Sequence, residues 1–191
     1  MVLYGSQTSP FVRRIRLLLP EDSYRFKKVD IFNPTERKEL FNLSPSLKIP
    51  ILVIEQQPIW DSRIIFNELC RRGYHRNLTI DEENLLTAIS DLSDSLIQNL
   101  LAQRSNVIFA KGTPIETSHS DRITNTLTYL NEQLYTRSFN EWSFLSMSLF
   151  AMVDWVEFRA LTSLTPYGML KQFHKANLDQ PRVALTDPRA N

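Results

Sequence analysis

Cys70 is the only cysteine in the 191-residue chain, which excludes an internal disulfide. No apolar run reaches membrane-spanning length, and the N-terminus lacks the charged-then-apolar order of a secretory signal. The cytoplasm is therefore the expected compartment, with no membrane partner. An excess of charge is lacking too: 22 Lys and Arg against 21 Asp and Glu leave +1, so no global field points to nucleic acid. His75, His119 and His174 lie far apart, without metal-type spacing, and read as surface or cap residues; no metal is expected. There is neither an internal repeat nor a low-complexity tract.

What is present is enough apolar residue, 42%, for real cores, in a length that suits two small domains. Val2 to Tyr4 reads as a strand, and apolar positions 11, 12, 15, 18 and 19 give a helix over Phe11 to Leu19 that Pro20 ends. Ser9, directly before Pro10, reads as its N-cap. Arg13, Arg14 and Arg16 fall off the apolar face and read as a solvated basic surface. Tyr24 to Ile31 reads as a second strand and Pro34 to Leu43 as a helix. Ile51 to Ile54 and Pro58 to Trp60 form a hairpin, and Ser62 to Arg72 a helix capped by Asp61 or Ser62.

After Tyr74 to Thr79 the signals are helical throughout. Asp81-Glu82-Glu83 opens a long helix, Ile123 to Leu134 marks the next, and Ser143 to Arg159 is apolar nearly all round and hence buried. A shorter helix spans Tyr167 to Lys175, and the tail from Asp179 offers little to pack. The fold class is α/β plus all-α: a β-α-β-α-β-β-α domain over 1–75, a helical bundle over 81–178 and a tail over 179–191.

Three segments then carry a resemblance: Leu3 to Arg13 around Ser9-Pro10, the triplet Lys48-Ile49-Pro50 before a strand, and Trp60-Asp61-Ser62-Arg63-Ile64-Ile65 before a helix. In order and spacing they resemble the glutathione-site signatures of bacterial glutathione transferases, and the helical remainder is similar. The resemblance implies a thioredoxin-like N-terminal domain with Pro50 as the cis-proline. Ile49 would offer its backbone to the cysteinyl part of glutathione as an added strand does. Ser62, with N–H groups at the helix start, would receive the γ-glutamyl carboxylate beside Asp61, and Lys48 the glycyl carboxylate.

Ser9 falls where thiol-using relatives carry cysteine. A hydroxyl forms no mixed disulfide but can donate to a glutathione thiolate, with Thr8 the nearest alternative donor and Tyr4 a remote third. Cys70, inside a helix, reads as a small core residue. The resemblance thus implies a transferase joining glutathione to a small electrophile, with glutathione as co-substrate. The electrophile would lie against the helical domain, where Asn99, Gln103 and Arg104 are candidate lining residues. A homodimer through the third and fourth helices and the partner's N-terminal domain is implied as well. Two other readings remain: a non-catalytic binding partner of RNA polymerase of the stringent starvation protein A type, which keeps a similar Trp-acidic-Ser-Arg-Ile-Ile stretch, and a glutathione-dependent reductase or lyase.

Two departures from the family pattern carry expectations. Leu47 stands where relatives have glycine, and is strained if that position needs positive φ. Ser146 replaces the acid of a capping box begun by Ser143, which weakens the reciprocal bond.

Overall fold

The computed structural model describes residues 1–135 and 139–190. The chain divides into two units, one of residues 1–77 together with the segment from Asp179 onward, the other Leu78–Leu178.

In the first unit the order is β1 (Val2–Gly5), α1 (Pro10–Leu18), β2 (Arg25–Lys28), α2 (Pro34–Leu43), β3 (Ile51–Ile54), β4 (Gln57–Trp60) and α3 (Ser62–Arg71). The sheet runs β2-β1-β3-β4, with β1 and β2 parallel and the other pairs antiparallel. β2 is shorter than the sequence predicts because only four of its residues find partners on β1. Both faces of the sheet are apolar, as the alternation of strand side chains requires when helices cover both sides. Leu3, Leu52 and Ile59 form one buried cross-strand row. Val29, Leu40 and Ile51 form a cluster joined by Tyr4, Leu47 and Ile49.

Gly5 sets the approach of α1 to the sheet. A Cβ there would lie 2.5 Å from both Val12 methyl carbons, so only glycine lets the first helix start this close to the strand.

The segment from Asp179, expected to offer little to pack, packs onto α1. Val183 is 4% exposed and Thr186 fully buried. Arg13 donates to Thr186 Oγ1 and to the Val183 carbonyl, Arg16 to the Leu185 carbonyl, and Arg182 to the Leu17 carbonyl at 2.7 Å. This overturns the reading of Arg13, Arg14 and Arg16 as a wet face: they are 4%, 3% and 8% exposed. Their side chains reach acceptors that sequence distance hides, which is how a buried guanidinium is tolerated.

The second unit consists of α4 (Ile80–Arg104), α5 (Pro114–Gln133), α6 (Phe144–Arg159) and α7 (Gly168–Ala176). Thr79 and Glu82 cap α4 reciprocally. Every residue of α6 from Phe144 to Val156 is buried. At its start Ser143 accepts from the Ser146 N–H at 3.4 Å, but no reciprocal bond returns. The Ser146 hydroxyl instead donates to the Glu141 carbonyl at 2.6 Å, and so does the Ser143 N–H at 2.8 Å. His174 departs from its reading as a surface or cap residue: it is 9% exposed, bonded through Nε2 to Asp154 Oδ1 at 2.8 Å and stacked on Phe150. No described helix is long and apolar enough to cross a membrane.

Candidate functional site

The candidate glutathione-site residues all lie in the first unit, at the ends of three elements. β1 stops at Gly5, and a turn closed by the Ser9 N–H on the Ser6 carbonyl leads into α1. Ser9 has extended φ/ψ of −83° and 126°, and its Oγ accepts from the Val12 N–H at 3.3 Å. It is the N-cap the sequence predicts, with Pro10 at the first helical position. Among the described residues nothing accepts the Ser9 hydroxyl proton. Thr8 differs, since its hydroxyl is bonded to Ser6 Oγ at 3.2 Å. Tyr4 packs on the Val29–Leu40–Ile51 cluster with the Lys27 ammonium over its ring.

The second element end is the approach to β3. The Ile49–Pro50 bond is cis, and Pro50 is buried. Ile49 makes no backbone hydrogen bond among the described residues, so its N–H and C=O are available to an extended ligand. Leu47, two residues earlier, has φ of 55°, the left-handed conformation that disfavours a branched side chain; its side chain packs on the same apolar cluster. Lys48 is exposed, and its ammonium has no partner among the described residues.

The third is the start of α3. Asp61 is its N-cap, with φ of 68° and ψ of 133°, conformational space that costs a non-glycine residue energy. Its Oδ1 accepts from the N–H groups of Arg63 at 2.8 Å and Ile64 at 3.3 Å, which offsets that cost. Ser62 is 1% exposed, and its hydroxyl is held from α1 by Arg14: Nε–H donates at 3.0 Å and Nη2–H donates to the same oxygen. Arg14 lies 4.7 Å from the centroid of the Phe11 ring. The sequence reading missed this residue, because the helical wheel placed Arg14 among solvated charges while α1 is buried on every side except at Phe11. Cys70 is half-buried on α3, its thiol donating to the Arg76 carbonyl at 3.2 Å.

In the helical unit, Asn99 and Gln103 line a groove of about 470 Å³ together with Phe109, His119, Ile123 and Leu161; Arg104 is not among its lining residues. Among the described residues there is no group of three or more His, Cys, Asp or Glu that could hold a metal ion.

A four-stranded mixed sheet with a cis-proline before its third strand, carried on a chain that continues as helices, defines a thioredoxin-like domain of the kind joined to a helical domain. Residues 3–74 match the family described as "Glutathione S-transferase, N-terminal domain". An Escherichia coli (strain K12) relative, the uncharacterized GST-like protein YibF, is 38% identical over 66 residues, 34% of this chain; the match spans a third of that protein's length. Solved structures share the fold. A glutathione transferase family member from Pseudomonas fluorescens Pf-5 with bound glutathione is 18% identical with a TM-score of 0.80, covering 99% of each chain. A Methylobacterium radiotolerans glutathione S-transferase in complex with glutathione sulfonate is 14% identical with a TM-score of 0.83, covering 100% of this chain and 95% of the other. Maleyl pyruvate isomerase, a bacterial glutathione S-transferase of the Zeta class, is 18% identical with a TM-score of 0.80, covering 100% and 98%. Residues 3–74 thus match a glutathione S-transferase N-terminal domain, and the chain as a whole shares the fold of these solved structures.

Proposed function

We propose that this protein is a cytoplasmic glutathione S-transferase that conjugates the glutathione thiolate to small electrophiles, a detoxifying transfer. Ser9 donates to the sulfur; Lys48, Ile49, Pro50, Asp61 and Ser62 hold the tripeptide; the helical unit contributes the electrophile pocket; and the working form is a homodimer. The observation that carries this reading is the state of Ser9. Its oxygen is engaged by the Val12 N–H at 3.3 Å while its proton has no acceptor among the described residues, so the hydroxyl is a donor in waiting.

The magnitudes favour that hydroxyl over the helix end. With a free-thiol pKa of ~8.5, lowering it by about two units takes roughly 2.7 kcal/mol. A helix N-terminus supplies ~0.3–1 kcal/mol, and a hydrogen bond to a charged group about 1.5–3 kcal/mol. Proximity of thiolate and acceptor supplies the rest of the acceleration. Disulfide exchange has no thiol at this position, since Cys70 lies on α3 with its Sγ–H on the Arg76 carbonyl.

The test is passage over immobilised glutathione, followed by ultraviolet difference spectra of bound thiolate and assay of conjugation with an activated aryl halide. Retention, thiolate absorbance and conjugate formation are expected. Folded protein that is neither retained nor shows the absorbance overturns the proposal in favour of a binding protein of the RNA polymerase-partner type.

A further inference from the structure

We propose that Arg14 is a positioning residue that fixes the Ser62 hydroxyl as an obligatory donor to the α-carboxylate of the γ-glutamyl arm, an inference that rests on the glutathione reading above. A serine hydroxyl has two lone pairs and one proton. Arg14 fills the acceptor side of Ser62 with two N–H groups from one guanidinium, Nε at 3.0 Å and Nη2 beside it. The proton is thereby turned away from α1, and no described residue accepts it. A donor on a residue only 1% exposed is rarely left without an acceptor, because its desolvation is then uncompensated. The arrangement is complete only when an oxygen acceptor sits at the start of α3.

Charge selects the acceptor. The helix N-terminus and the buried Arg14 cation one hydroxyl away both favour an anion. Asp61 Oδ1 already takes the N–H groups of Arg63 and Ile64, so the donors left at this end are those of Ser62 itself, its hydroxyl and its first-turn N–H. Two donors on one residue match the two oxygens of one carboxylate. Arginine suits the role where lysine does not, since the rigid fork holds one oxygen from two directions.

The experiment compares glutathione with its analogue lacking the γ-glutamyl α-carboxylate, 4-aminobutyryl-cysteinylglycine, by calorimetric titration of wild type, Arg14→Met and Ser62→Ala, with the pKa of bound thiol read from ultraviolet titration. Wild type is expected to prefer glutathione by about tenfold to a hundredfold. In Arg14→Met that preference falls to within about threefold, the loss lying in glutathione affinity while the analogue binds as before and the thiol pKa stays at its wild-type value. Ser62→Ala carries the test should Arg14→Met not fold, and loses the same preference. Survival of the full preference in either folded variant overturns the inference, as does equal weakening of both ligands. Failure of the glutathione reading looks different: wild type then binds neither ligand.

Discussion

Arg13 and Thr186 are joined by a hydrogen bond of 3.3 Å, Nε–H donating to Oγ1, across 173 positions of sequence. Both residues are buried, so the segment after Asp179 is part of the core of the first unit and not an appendage. Thr186→Val keeps the shape and removes one acceptor from a buried guanidinium. The expected loss is about 1–3 kcal/mol of unfolding free energy, measured from urea midpoints. Deleting the segment from Asp179 also strips the Val183 and Leu185 carbonyls from Arg13 and Arg16, and should leave the chain less stable than Thr186→Val. A deletion as stable as wild type would show that these bonds contribute nothing.

Ser9→Ala removes a helix cap and, under the proposed function, a thiolate donor. Loss of the cap is expected to lower stability by ~0.5–2 kcal/mol. Loss of the donor is expected to raise the pKa of bound glutathione by about one to two units while leaving its dissociation constant within about threefold. Ser9→Asp separates the effects, since a carboxylate caps the helix but has no proton to give. It should restore the midpoint of unfolding and not the low thiol pKa. A wild-type thiol pKa in Ser9→Ala would remove Ser9 from the mechanism.

The sequence was legible where a local pattern has one dominant cause. Ser9-Pro10 is a cap whose chemistry lies within four residues, the acids Asp81-Glu82-Glu83 stand in the first turn of α4, and the apolar run of α6 is buried as its composition requires. It was illegible where partners are distant. Nothing near Arg14 announces Ser62, 48 positions away, and nothing near His174 announces Asp154, 20 positions away in a helix that reads as apolar nearly all round. The tail read as offering little to pack for the same reason. Its prolines and scarce apolar residues gave no periodic signal, while what holds it is backbone carbonyls receiving arginine N–H groups, a pattern that belongs to no side-chain code. The cis bond at Pro50 came from family resemblance, since most X-Pro bonds are trans.

Leu47 is a contest between backbone and side chain. A left-handed φ costs a non-glycine residue about 1–2 kcal/mol, while its packing on the Val29–Leu40–Ile51 cluster returns part of that. Leu47→Ala keeps the conformational cost and loses the packing; Leu47→Gly loses both. The glycine variant is therefore expected to be the more stable of the two by about 1 kcal/mol, an order opposite to that at an ordinary core site. Chemical denaturation of the pair decides it, and an alanine variant that equals or exceeds glycine would mean the position is unstrained in solution.

His75 makes the stability of the first unit depend on pH. Burial, and secondarily the Arg182 cation of the C-terminal segment, hold its imidazole below the ordinary histidine value. A group depressed on folding binds fewer protons in the native state than in the unfolded chain at pH values between its two pKa values, so unfolding free energy falls with falling pH there. The contribution is whole above the unfolded value of about 6.5 and is lost progressively as the pH drops toward the folded one. His75→Gln should flatten the urea midpoint between about pH 8 and about pH 5.5 relative to wild type. Arg182→Gln should keep most of the slope, because burial is the larger cause. Identical slopes in wild type and His75→Gln would place the native and unfolded imidazoles at the same pKa and sink the prediction.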